Sequence, residues 1–268
     1  MVTPRPDTLR ILSIDHAAQD LDRAAGAHDA GRSRLASFKA LAVDAAASVA
    51  TGQTGFGVFL DGALGRAGLP EAARRGLWIA RQYPHGTDIA PAQELARWPQ
   101  SELVKVIADA RPSVRTPLEQ RLPEILRIAE FCRASKRALL IEALPGPGKT
   151  TAALVASLIA VNLAPSWWLV EAQSSAVAWH DVARSAGAPG ECQGVLVIAR
   201  SPEAVSGFAR AAATPLVRGF VGGRAIFKPV LAPWLAGELD DAAARDAMAS
   251  TFRIMCAAWD KSFGGPRR

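Results

Sequence analysis

The chain has 268 residues, half of them hydrophobic and about a fifth charged, enough to bury the core of one large domain or two small ones. Its net charge of +6 is spread along the chain with no basic block, which favours small anionic ligands and argues against nucleic acid. Cys132, Cys192 and Cys256 lie far apart with no CxxC pair, so neither a disulfide framework nor a zinc site is expected; without a signal-peptide core or an apolar run near the ~20 residues of a membrane span, a cytoplasmic protein with no membrane partner is expected.

In chain order, short apolar runs alternate with helical patterns. The runs are LRILSIDH (9–16), GFGVFLDG (55–62), GLWIARQY (76–83), LVKVIADA (103–110), ALLIEALP (138–145), SWWLVEAQ (166–173), GVLVIARS (194–201) and PLVRGFVGG (215–223). Their length and β-branched content suit strands buried on both faces. Helices are predicted over 34–50, 116–135, 174–187 and 201–213, the last opened by Ser201, Pro202 and Glu203. A long closing helix is predicted over 240–263. Eight strand–helix units in about 250 residues predict an α/β fold, a single (β/α)₈ TIM barrel over 1–268. The same alternation could feed an open doubly wound sheet, but no GxGxxG follows the first run.

In such a barrel the chemistry gathers at the C-terminal ends of the strands. The candidates there are Asp15, His16, Asp61, Arg81, Tyr83, Lys105, Asp109, Glu142, Glu171, Gln173, Arg200, Arg218 and Arg224. Lys105 is the only one of six lysines inside an apolar strand run. Burial and neighbouring charges could lower its pKa into the nucleophilic range. It would then be a nucleophile or acid/base group, a substrate-binding cation, or a structural partner of Glu142 or Asp15. The two carboxylates suit acid/base roles, or the orientation of a lysine. His16 faces away from Asp15 by strand parity. His85 and His180 read as loop and helix-surface residues, and no metal constellation assembles. The loop GFVGGRAIF (219–227) joins Gly222 and Gly223 to a helix start and Arg224, a combination suited to a phosphate or carboxylate.

The stretch EALPGPGKTTAAL (142–154) imitates a Walker A phosphate loop, but Ala143 replaces its first glycine and Pro145 and Pro147 remove two N–H donors. It follows the fifth run, not the first, and no hydrophobic run ending in aspartate follows it. Threonine capping of a helix is the expected role, a P-loop NTPase the less favoured reading. Lys149 could still meet an anionic substrate at the catalytic face.

The segments ILSIDHAAQD, GFGVFLDGALG, LVKVIAD, SWWLVEAQSSAVAW and PLVRGFVGGRAIFKPVLAPWLAGELDDAAA resemble one family. It is the barrel domain found alone, or fused behind the sugar kinase, in bacterial 5-dehydro-2-deoxygluconokinase proteins of inositol breakdown. That domain is similar to class I aldolases of the tagatose-1,6-bisphosphate type and is associated with 2-deoxy-5-keto-gluconate-6-phosphate aldolase activity. The resemblance implies a cofactor-independent lyase for a phosphorylated keto-sugar. Asp15, Asp61, Lys105, Glu142, Glu171, Gln173, Gly223 and Arg224 fall where the family pattern expects them. The family's sixth strand reads like WWKLEPQ, with the Schiff-base lysine at the place of Leu169, and its third strand ends in a lysine-containing segment where this chain has QYPHG (82–86). Two outcomes follow: Lys105 supplies the amine, or the barrel binds sugar phosphates with its chemistry lost or altered.

Overall fold

Strands clad by helices on one face and filled by side chains on the other must be apolar throughout, and the eight apolar runs fold accordingly. The computed structural model describes residues 7–26, 31–84, 90–112, 114, 116–187 and 192–264. Eight parallel strands close in chain order: β1 (Leu9–Ser13), β2 (Phe56–Asp61), β3 (Trp78–Gln82), β4 (Glu102–Asp109), β5 (Leu139–Leu144), β6 (Trp167–Glu171), β7 (Gly194–Ala199) and β8 (Val217–Gly222). β1 pairs with both β2 and β8, which excludes the open sheet. The last strand closes on the first so tightly that a Cβ on Gly219 would run into the backbone of Leu9.

The helices are α1 (Ala18–Ala25), α2 (Arg32–Ala50), α3 (Gly68–Arg74), α4 (Pro91–Ala96), α5 (Leu118–Ala134), α6 (Thr151–Ala160), α7 (Ala176–Ser185), α8 (Phe208–Ala212), α9 (Arg224–Ala236) and α10 (Asp241–Phe263). None among the described residues is long and apolar enough to cross a membrane. Alternation splits the core in two. Leu9, Ile11, Phe59, Trp78, Ala80, Leu103, Leu140, Trp167, Leu169, Leu196 and Val221 fill the barrel. Leu12, Val58, Ile79, Val104, Ile141, Val170 and Val197 face outward into the helical layer. All three cysteines are buried there and none is in a disulfide.

Two predicted boundaries move. β1 ends at Ser13, so Asp15 and His16 stand in the loop that follows. The helix predicted over 201–213 divides into a 3₁₀ stretch, Pro202–Gly207, and the short α8. Ser201 makes no capping hydrogen bond there. Gly207 lies at the division, where its poor helix propensity favours the break.

Candidate active site

Parity on β4 sends Lys105 into the barrel along with Leu103, and there its side chain is almost fully buried. Its Nζ lies 2.7 Å from Asp15 Oδ2, 2.7 Å from Glu142 Oε2 and 3.0 Å from Gln82 Oε1. Three acceptors thus match the three protons of an ammonium. Ser13 Oγ donates to the other oxygen of Asp15 at 2.6 Å. The pairing anticipated between Lys105 and either carboxylate is present with both.

The electrostatics reverse one expectation. Burial is the largest influence on Lys105 and by itself would lower its pKa, but Asp15 and Glu142 together outweigh it and raise the pKa above 10.5. The amine is a locked ammonium, not a depressed nucleophile. Burial likewise pushes Asp15 up, yet Lys105, with help from His16 and Ser13, holds it well below the usual carboxylate range. Leu169 fills the inner face of β6 directly opposite Glu142, with 1% of its surface exposed. The charged cluster therefore borders Leu169 on the inner face of β6.

The remaining candidates separate by position. Arg224 opens α9 from an exposed site and has no hydrogen bond or ion pair among the described residues. Gly223 stands at the N-cap of α9, whose first N–H groups receive no side-chain cap. Gly222 also meets the helix, since a Cβ there would stand 2.7 Å from Ile226 Cδ1 of α9.

Asp61 is similarly occupied. Its Oδ2 accepts from the N–H groups of Ala63 and Leu64, and its Oδ1 from Gly65 N and from the Lys39 ammonium. With both oxygens committed to the loop and to α2, a substrate finds no free lone pair on this carboxylate. Glu171 pairs with Arg200 at the rim, both partly exposed. The Gln173 amide donates to Glu171 O at 2.6 Å and to Thr151 Oγ1 at 3.2 Å. These two residues line a cleft of about 330 Å³ with Pro145, Lys149, Thr150 and Thr151, between the loops after β5 and β6. Lys149 is exposed there, and Thr150 caps α6 by accepting from Ala153 N at 3.1 Å, the capping expected from the sequence.

Arg81, Tyr83 and Arg218 leave the site. Arg81 faces outward, ion-paired to Glu102 at 3.4 Å and stacked on Trp98 at 4.0 Å. Tyr83 is buried beside the same tryptophan. Arg218 belongs to the N-terminal end of β8, against Gly194. Asp109 holds Arg111 through two side-chain bonds of 2.8 and 2.5 Å. His180 is exposed on α7. His85 lies outside the described residues.

Sequence reasoning missed two contributors. Gln82 shares the inward face of β3 with Trp78 and Ala80, so parity alone could have found it. Lys39 is fully buried on α2, and its Nζ donates to His16 O at 2.7 Å as well as to Asp61. The sequence signal was a lone lysine in an alanine-rich, otherwise apolar helix face.

The family model described as "Uncharacterized protein conserved in bacteria (DUF2090)" matches residues 2–263. The chain belongs to the DUF2090 family. No curated protein matches it. Among solved structures, an archaeal fructose-1,6-bisphosphate aldolase, with its catalytic lysine covalently bound to the carbinolamine intermediate, is similar at a TM-score of 0.57 and 11% identity, with 94% of each chain covered. A second archaeal fructose-1,6-bisphosphate aldolase is similar at 0.56 and 14% identity, over 97% of this chain and 95% of that one. At such identities the likeness is one of fold: this DUF2090 member shares a (β/α)₈ barrel with them.

Proposed function

We propose that this barrel binds a phosphorylated keto-sugar, of the 2-deoxy-5-keto-gluconate-6-phosphate type used in inositol breakdown, and cleaves a carbon–carbon bond by retro-aldol chemistry. The observation that carries the reading is the Lys105 ammonium, held between Asp15 and Glu142 inside the barrel. A buried cation stabilises the oxyanion that develops when the carbon–carbon electrons move into an enolate, the oxyanion taking the place of the neutral Gln82 acceptor on the ammonium. Asp15 and Glu142 aim that cation, and Gly223 with the unpaired Arg224 receives the phosphate at the α9 N-terminus. The aldolase-like fold supports the reaction class, and the absence of a lysine at 169 argues that the charge, not an imine, does the stabilising.

A second reading keeps the imine. Lys105 is bonded to Glu142, the β5 residue opposite Leu169, and transfer of its proton to Asp15 or Glu142 would free the amine to attack a ketone. Borohydride treatment with a keto-sugar phosphate separates the two. Turnover without an adduct supports the ammonium, whereas a mass increment on Lys105 supports the relocated imine. Thermal stabilisation without turnover would instead mark a binding barrel that has lost its chemistry. Neither stabilisation nor turnover by any keto-sugar phosphate would sink the sugar-phosphate reading.

A further inference from the structure

His16 is a largely enclosed titratable group that this chemistry leaves unused. Its ring occupies the seam between the end of β1 and the start of α9, edge-on to Phe227 at 5.0 Å between centroids. A Cβ on Gly223 would stand 3.6 Å from its Cε1. The Lys39 ammonium, itself fully buried, anchors the His16 carbonyl. Of the two ring nitrogens it is Nδ1 that is closed off from solvent without a hydrogen-bond partner, 3.9 Å from Asp15 Oδ1. A buried nitrogen left so is costly, and a native site that tolerates one has a reason.

Four charged groups face the ring: Asp15 beside it, Arg224 from α9, Lys105 from β4 and Lys39 from α2. Burial, aided by the three cations, lowers the imidazole below its ordinary value of 6.5 against the opposing pull of Asp15. The ring is therefore neutral at pH 7, the state that can accept a proton. Asp15 is the poorer base of the two, since Lys105 and Ser13 already occupy its oxygens.

We propose that Asp15 and His16 form a dyad: Nδ1–H is directed at Asp15 Oδ1, and the Nε2 lone pair takes the proton of the substrate hydroxyl. The 3.9 Å separation is longer than a hydrogen bond, as catalytic pairs often are before substrate tightens them. In the step, the hydroxyl O–H bond breaks and its proton goes to Nε2. The oxygen lone pair becomes the new carbonyl, the carbon–carbon bond breaks, and its electrons pass into the enolate beside Lys105. The imidazolium, stabilised by Asp15, then returns its proton to the enolate carbon and ends neutral. No oxidant or second reactant is needed.

The proposal rests on the retro-aldol reading, and the experiment separates the two. The chain has four histidines, so selective ¹⁵N-histidine labelling with His16→Gln as the assignment control resolves this ring. The expected resting state is the Nδ1-protonated tautomer, with a pKa below 6.5 that falls further in Asp15→Asn. An Nε2-protonated ring, or a pKa unmoved by Asp15→Asn, overturns the dyad. In turnover assays His16→Gln should lose about 10²- to 10⁴-fold in kcat with KM little changed, and the acid limb of the wild-type pH profile should vanish with it. Retention of that limb in His16→Gln also overturns the proposal. A wild type inert toward keto-sugar phosphates, yet showing the Nδ1 tautomer and the Asp15 coupling, supports the dyad and overturns the lyase reading alone.

Discussion

Lys105 and Lys149 make an instructive pair. Lys149 stands in a sequence that imitates a famous phosphate loop, while Lys105 stands in an unremarked apolar strand. In the fold their standing reverses. Lys149 is exposed beside a threonine that caps α6, whereas Lys105 is buried with three acceptors on its ammonium. A local pattern of glycines and threonines satisfies helix-start geometry with or without a ligand. A buried charge, in contrast, persists only with partners gathered from distant strands, because desolvation would otherwise neutralise or expel it.

The sharpest way to break this contrast is Lys105→Met. It leaves Asp15 and Glu142 enclosed without a counter-charge and should cost about 3–5 kcal/mol in urea unfolding. A loss below about 1 kcal/mol would mean that the cluster is solvated. Lys39→Met should cost less, about 3 kcal/mol at the low end of the same range, since Asp61 keeps three backbone N–H donors.

The pH dependence of stability sharpens the comparison further. Asp15 has a lowered folded-state pKa, so its contribution is present above its ordinary value of 3.8 and drains away as pH falls below it. Lys105 has a raised one, so its contribution is complete below 10.5 and is lost only as pH rises beyond. In Lys105→Met burial is left to raise Asp15 unopposed by that ammonium, so the stability gap between wild type and variant should be widest in the mildly alkaline range below pH 10.5 and shrink as pH falls and the variant's Asp15 takes up a proton. A gap that stays constant down to about pH 3 would contradict the assignment.

Arg224→Ala should change folding stability by no more than about 0.5 kcal/mol while removing the thermal stabilisation given by inorganic phosphate or a sugar phosphate. An undiminished phosphate shift would move the anion site elsewhere. Lys149→Ala should have the smallest effect, within about 0.5 kcal/mol on stability and none on that phosphate shift. A lost shift would restore a binding role to the loop.

The eight-stranded barrel was legible from the chain because its strands are apolar on both faces and recur at regular spacing. Parity on β4 likewise carries Lys105 to the inner face with Leu103, and on β3 would have delivered Gln82. The direction of the Lys105 pKa was not legible: it is a balance between burial and two carboxylates on β5 and after β1, and only closure of the ring sets those distances. Nor could spacing show that Gly222 meets α9, that Asp61 spends its oxygens on Lys39 and its own loop, or that His16 lies beside Arg224. Sequence periodicity determined which face each residue occupies, because it is a property of neighbouring bonds. The tertiary structure alone decided which charges meet, because electrostatic partners here lie tens of residues apart and their energies depend on ångströms of separation and on the exclusion of water.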